Sequence, residues 1–376
     1  MNYSKKRSVD EVQIESQVLQ WFNHFHQYPE VSWKEYETTN KLAEILDGLG
    51  ISYRRFDDVT GLLAEIGEGS EVIAVRADID ALWQEVDGEL RANHSCGHDA
   101  NISMVLGALL LLKDEKLNKR IRFIFQPAEE KGNGANSMID RGALTDVTHL
   151  FGVHLRPIEE LPFGKVAPAI HHGAALFIEG KIKGIDAHGA RPHQGNNAID
   201  VVMAIHQALK NMYFSPLDSY SAKLTKIQAG GENANIIPGI ATFSIDVRAA
   251  KNNVLFQLKD QIDRDLNAIQ QLFDIKIEWE FQDITPGAEV SKEAAAISKA
   301  AIIETVGMKN LAEEVITSGS DDFHFYTIRH PEVKAAMIGI GADLTPGLHH
   351  PNMTFNRDAL MIGARVIEKT LSNIAK

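Results

Sequence analysis

Hydrophobic periodicity divides this chain into two kinds of element order, and that division constrains its fold most strongly. Leu42, Ile45, Leu46 and Leu49 follow the three-four spacing of an amphipathic helix, and Gly50 is placed to end it. Short apolar runs at Leu62 to Ile66, Val72 to Val75, Ile121 to Phe125 and His149 to His154 predict strands, with a buried helix over Ile102 to Leu112. Strands alternating with helices point to α/β layers around a mostly parallel sheet. In the middle of the chain the order changes. Ala174 to Ile185, Lys223 to Ala229, Ala241 to Val247 and Ile275 to Phe281 predict strands, and Ala198 to Met212 and Val254 to Leu272 predict helices. The resulting β-α-β-β-α-β order is the ferredoxin-like, split-βαβ pattern, a unit able to fold as its own small domain. α/β signals then return with a helix over Lys292 to Thr305, a strand near Ala335 to Ile340 and a helix over Ala359 to Ile374. The expectation is an α/β domain in two parts, residues 1–172 and 285–376, with an insertion at 173–284.

The chain is long enough, at 376 residues with 44% hydrophobic, to bury a sizeable core. Its net charge of -13 argues against nucleic acid and anionic membrane surfaces, which recruit basic patches. A single cysteine cannot form an intrachain disulfide, which fits a reducing compartment. Met1 to Asp10 is polar and lacks the apolar core of a signal peptide. The longest apolar run, Met104 to Leu112, is far shorter than the roughly 18 residues of a membrane span. These features predict a soluble, cytoplasmic protein.

The chemistry concentrates in Asn93-His94-Ser95-Cys96-Gly97-His98-Asp99, which holds that cysteine. Thiolate and imidazole are ligands preferred by zinc and related divalent metals. Further polar groups stand at predicted strand ends or in loops: Gln126-Pro127-Ala128-Glu129-Glu130, Gly152-Val153-His154 and Leu348-His349-His350-Pro351. Asp186 to His193 adds a polar run in the insertion. In parallel α/β sheets, ligands gather at the carboxyl ends of strands. Each piece also has a plain structural reading. A lone histidine is more often a surface residue, paired glutamates are usually a solvated loop, and a lone cysteine is commonly a small buried hydrophobe. Their co-occurrence at strand ends of one domain is what favours a metal site.

Taken in order, these pieces resemble the aminoacylase/carboxypeptidase family of dinuclear metallohydrolases, in the branch of bacterial N-acyl-amino-acid amidohydrolases, hippurate hydrolases and plant auxin-conjugate hydrolases. Phe25 to Glu30, Arg76 to Leu82, Cys96 to Asp99, Gln126 to Glu130, Gly152 to His154, Asn235 to Pro238 and Leu348 to Pro351 carry the resemblance almost end to end. It implies that Cys96, His98, Glu130, His154 and His349 hold two divalent metal ions, with Cys96 bridging. It implies Glu129 as general acid/base, Asp80 as the carboxylate that orients a liganding histidine, and His188, Asn235 and Arg248 as substrate-binding residues. His350 competes with His349 for the last ligand position, and place in the motif favours His349. Zinc or manganese suits the set, and cobalt or nickel is chemically acceptable.

Four departures mark the pattern: Tyr28 for a second histidine, Trp83 for a proline, Asn101 for a histidine, and Ser320-Asp321-Asp322-Phe323 for Ser-Glu-Asp-Phe. None touches a ligand position; they bear on which side chain the substrate carries. The implied activity is hydrolysis of the amide bond of N-acyl amino acids or related conjugates, with domain closure over the substrate. Dipeptidase or carboxypeptidase action on the same scaffold is the alternative. Weaker readings are Cys96 as a nucleophile, a non-catalytic binder of acylated amino acids, and a nucleotide loop at Gly132-Asn133-Gly134. The expected partner is a small substrate rather than nucleic acid or membrane, with a homodimer through a sheet edge of the insertion.

Overall fold

The computed structural model describes residues 9–376. Most of the polar amino-terminal stretch, Met1 to Ser8, therefore lies outside the described residues. The chain divides into two compact units. The first comprises residues up to His171, Glu289–Ile316 and Asp322–Lys376; the second comprises His172–Ala288 and Thr317–Asp321.

A seven-stranded sheet organises the first unit. Its order is Tyr53–Arg55, Leu62–Ile66, Arg120–Gln126, Val72–Asp78, Val147–Pro157, Lys334–Leu344 and Val166–Ala167. The neighbouring strands Arg120–Gln126, Val72–Asp78, Val147–Pro157 and Lys334–Leu344 run parallel, and antiparallel strands flank them on both sides. Alternate side chains of these strands enter different cores, as the period of two requires. Ile73, Val75, Phe123, Phe125, Phe151 and Ile338 join one core with residues of the helices Val9–Gln27, Tyr36–Leu49, His98–Leu112, Lys292–Val306 and Ala359–Ala375. Val72, Ala74, Ile124, Leu150 and Met337 join another with Met138, Ile139 and Tyr326 of the short helices Gly134–Asp140 and His324–Arg329.

The helix His98–Leu112 is apolar on every side, and all but two of its 15 residues are buried. Such a helix belongs in the middle of a core. Its first residue is thereby fixed against the carboxyl ends of the parallel strands. The helix Tyr36–Leu49 stops where Gly50 adopts the left-handed conformation.

The second unit carries a four-stranded antiparallel sheet in the order Tyr220–Ala229, Ile240–Ala249, Ala174–Lys183, Lys276–Thr285. Leu176, Ile178, Phe243, Ile245 and Val247 pack with Val201, Ile205, Leu258 and Ile262 of the helices Ala198–Lys210 and Asn252–Leu272. A small ribbon pairs Ala187–His188 with Ile236–Ile237.

Candidate metal centre

Most chemically distinctive segments of the first unit leave or end a parallel strand; that of Cys96 and His98 instead follows the antiparallel hairpin Leu82–Val86/Glu89–Asn93. After Val72–Asp78 the chain reaches Asp80, which is fully buried. After Arg120–Gln126 it turns through Ala128, at φ +52°, into the short 3-10 turn Glu129–Lys131. The Asp80 carboxylate accepts the backbone N–H groups of Glu129 and Glu130, each at 3.1 Å, and the Ser32 hydroxyl at 2.6 Å. One acidic side chain thus holds two successive amides of the turn that carries both glutamates. His154 lies towards the carboxyl end of Val147–Pro157, opposite Gly339. Gly97, at φ +83°, supplies the sharp bend between Cys96 and His98, a conformation glycine adopts without strain. The loop after Lys334–Leu344 presents His349 at φ +65°, its N–H bonded to the Ser95 carbonyl at 2.8 Å.

These segments converge. Cys96 Sγ lies 3.6 Å from His154 Nε2. Glu130 Oε1 is 3.6 Å from His349 Nε2 and 3.9 Å from His98 Nε2. Glu129 Oε2 is 3.8 Å from His98 Nε2. Cys96, His98 and His154 bring ligand atoms within 4.8 Å of one another, and so do Cys96, Glu130 and His349. Cys96 alone belongs to both triplets. His350 points elsewhere: its Nδ1 accepts the Asn352 N–H at 3.1 Å within its own loop.

Burial dominates the electrostatics of these groups. Burial raises the Cys96 thiol well above its ordinary pKa, and the nearby Glu130 carboxylate adds to the effect. Burial likewise lifts Glu130 to about 7. Burial alone would lower His98, but Asp78 and Cys96 outweigh it and hold the imidazole well above its usual range. Burial opposes ionisation of Asp80 too, yet His98 and the Ser32 hydroxyl keep its carboxyl below the normal value. Burial and neighbouring carboxylates push Cys96 and Glu130 up, and the neighbouring anions push His98 up against its burial.

The atoms themselves fit a metal. His98 Nε2 and Glu130 Oε1 are buried and have no hydrogen-bond partner among the described residues. Such orphaned acceptors are costly unless something ligates them. His98 Nδ1 lies against the Asp80 carbonyl at 2.9 Å, and His154 Nδ1 against the Leu155 carbonyl at 2.7 Å. Both contacts place the ring proton on Nδ1 and turn the Nε2 lone pair towards the cluster.

Beneath the cluster runs a buried network that the sequence reading did not assemble. Arg76 pairs with Asp78, reaches Asp322 at 2.8 Å and donates to Gln126 at 2.9 Å. Asp322 also accepts from Gln126 Nε2 at 2.8 Å and the Ala135 N–H at 2.9 Å, and its own N–H faces Glu129 Oε1 at 3.4 Å. An arginine inside the apolar strand Val72–Asp78 was the available signal. Asn101, one of the departures, donates to Asp78 at 2.8 Å and so joins this support. Trp83 and Tyr28 are exposed at 62% and 54%, which suits surface positions rather than core ones. Trp83 sits on the hairpin Leu82–Val86/Glu89–Asn93, whose Gln84 and Asn93 donate to the His349 and Pro351 carbonyls at 3.1 and 3.0 Å. Gly134 answers a packing need: a Cβ there would lie 1.7 Å from the Pro127 oxygen.

His188, Asn235 and Arg248 belong to the second unit. His188 pairs with Ile236 across the small ribbon, and the Asn235 carbonyl accepts the Gly189 N–H at 2.7 Å, so these two are neighbours. Arg248 lies on the strand Ile240–Ala249, paired with Asp246 at 3.0 Å and placed over the Phe177 ring at 5.1 Å.

Residues 74–373 match the model of peptidase family M20/M25/M40. An N-acetyl-L-cysteine deacetylase of Bacillus subtilis is 30% identical over 374 residues, covering 93% of this chain and 86% of the relative. IAA-amino acid hydrolase ILR1-like 6 of Arabidopsis thaliana is 31% identical over 359 residues, covering 91% and 76%. The same fold occurs in a Bacillus subtilis protein described as a dinuclear metal binding peptidase of the M20 family, with TM-score 0.82, 24% identity and coverage of 97% and 99%. The expected family resemblance is borne out, and with it the mixed α/β architecture around a large central sheet. The chain belongs to peptidase family M20/M25/M40 and is a hydrolase of that family.

Proposed function

We propose that this protein is a metal-dependent amidohydrolase that cleaves the amide bond of N-acyl amino acids or related conjugates, giving a carboxylic acid and a free amino acid. The observation that carries the reading is the pair of ligand triplets sharing Cys96, with Glu129 beside them. Cys96, His98, Glu130, His154 and His349 would hold two divalent cations. Bound there, such ions supply Lewis acidity, which makes a water acidic and polarises a carbonyl.

The residues of the chain do the rest. Glu129, held by the Asp80-anchored turn, takes a proton from the attacking water and passes it to the leaving nitrogen. Asp80 keeps His98 in the tautomer that turns Nε2 to the cluster. His188, Asn235 and Arg248 are assigned to the substrate on family resemblance. For Arg248 this requires the guanidinium to divide its donors between Asp246 and a substrate carboxylate, which its five N–H groups allow.

The names of the relatives support an acylated amino acid as substrate class. The thiol-nucleophile reading fares worse, because a nucleophilic cysteine needs a depressed pKa and burial pushes this one the other way. Among the described residues no helix is long and apolar enough to cross a membrane. A cysteine serving as metal ligand suits a reducing, cytoplasmic setting, and closure of the inserted unit and a homodimer through it belong to the same reading.

The family's peptidase description keeps dipeptides in view as substrates of the same site. A panel of N-acyl amino acids and dipeptides, assayed before and after chelation and after returning zinc or manganese, tests the proposal. Metal-restored hydrolysis with N-acyl amino acids preferred is expected. Activity indifferent to chelation, or confined to dipeptides, contradicts it.

A further inference from the structure

Glu35 is wholly buried, and its carboxylate reaches the turn that carries Glu129 and Glu130. Oε1 accepts the Ala128 N–H at 2.9 Å, and Oε2 accepts the Thr60 hydroxyl at 2.5 Å. Its backbone carbonyl accepts the Thr39 hydroxyl at 2.6 Å, and that oxygen in turn accepts the Gly61 N–H at 2.9 Å. The carboxylate is therefore fixed at both ends.

Its partner is unusual. Ala128 is completely buried and sits at φ +52°, ψ 42°, a left-handed conformation that costs an alanine roughly 1–2 kcal/mol. The two amides that follow, of Glu129 and Glu130, are the ones Asp80 accepts. Three successive N–H groups are thus taken by two buried acidic side chains. Asp80 holds the far part of the turn, and Glu35 holds the strained residue from which it starts.

We infer that Glu35 is a positioning residue for the Glu129/Glu130 pair: by accepting the Ala128 amide it holds the left-handed turn that sends one glutamate to metal and the other to the reacting water. The inference rests on the proposed function. Without this acceptor the Ala128 N–H is a buried orphan beside a strained dihedral, and both penalties are relieved by unwinding the turn. Unwinding displaces the two glutamates together. A displacement of about 1 Å at a reacting group costs on the order of 100-fold in rate.

The test compares the metal-loaded parent with Glu35→Ala, Glu35→Asp and Glu35→Gln. The readouts are kcat and KM on an N-acyl amino acid, and zinc affinity by chelator competition. Glu35→Ala is expected to lower kcat by roughly tenfold or more with KM changed less than about threefold, and to weaken zinc binding. Glu35→Asp, too short to span Thr60 and Ala128, is expected to fall with it and carries the test where the alanine variant fails to fold. Glu35→Gln keeps an acceptor for Ala128 and is expected to restore both readouts to within about threefold of the parent. A parent that neither binds zinc nor hydrolyses the substrate defeats the proposed function. A competent parent matched by Glu35→Ala or Glu35→Asp, or a glutamine variant no better than alanine, overturns the role of Glu35.

Discussion

Asp80 meets His98 twice, through its backbone carbonyl at 2.9 Å from Nδ1 and through Oδ1 at 3.4 Å from the same nitrogen. The same carboxylate anchors the amides of Glu129 and Glu130. The backbone carbonyl fixes the imidazole tautomer, while the carboxylate holds two of the turn's amides and faces the ring as a counter-charge. Asp80→Ala is expected to weaken metal binding roughly 10- to 100-fold, the usual cost of losing a group that orients a ligand. Calorimetric titration of zinc into parent and variant checks this; equal affinities would remove Asp80 from that role.

Glu129 stands at the cluster without belonging to either triplet that shares Cys96. Glu129→Gln keeps its size and removes its basicity. Turnover is expected to drop by roughly 10²- to 10⁴-fold while metal content stays that of the parent. Steady-state kinetics beside elemental analysis separates the two effects, and an active glutamine variant would refute the proton-transfer role.

Metal affinity is expected to rise with pH. Burial holds protons on Cys96, and on Glu130 up to about 7, and a cation must displace them. Below those pKa values protons compete; above them they do not. Each proton displaced steepens the dependence by about tenfold per pH unit. Competition titrations between pH 5.5 and 8.5, together with proton release on zinc addition in weak buffer, measure it. A flat profile would contradict the ligand assignment.

Glu35 makes stability depend on pH in a known direction. Burial raises its carboxyl from 4.5 to about 7. The folded chain then binds the proton more tightly than the unfolded one. The contribution is complete below 4.5 and is lost as pH rises through about 7. A shift of that size corresponds to about 3 kcal/mol at most. Glu35→Gln, which cannot ionise, should gain on the parent between pH 5 and pH 8 in urea unfolding. Parallel curves for the two proteins would show that Glu35 does not titrate in this range.

The sequence revealed the elements more readily than the supports of the site. Strands such as Leu62–Ile66 and the apolar helix ending at Leu112 announce themselves through runs and periods that burial imposes. Gly50 and Gly97 mark bends where backbone sterics leave few alternatives. Cys96, His98, Glu130, His154 and His349 were legible only through the family resemblance that their segments carry together, and the fold brings their ligand atoms near one another. Arg76, Asp322 and Glu35 were not, since a charged residue becomes a buried partner only through contacts far along the chain. Arg76 and Asp322 are separated by 246 residues, and Glu35 and Ala128 by 93. The hairpin Leu82–Val86/Glu89–Asn93 was missed because only Val86 of its strand residues is buried and its apolar Trp83 and Leu90 lie exposed, so the sequence shows no apolar alternation there.

The most direct test is a crystal structure grown with zinc, with anomalous data collected at the metal edge. Two peaks are expected, each about 2.3 Å from Cys96 Sγ, one shared with His98 and His154 and the other with Glu130 and His349. A single peak, none, or two ions that both leave the Cys96 sulfur unligated would contradict a bridged pair at this site.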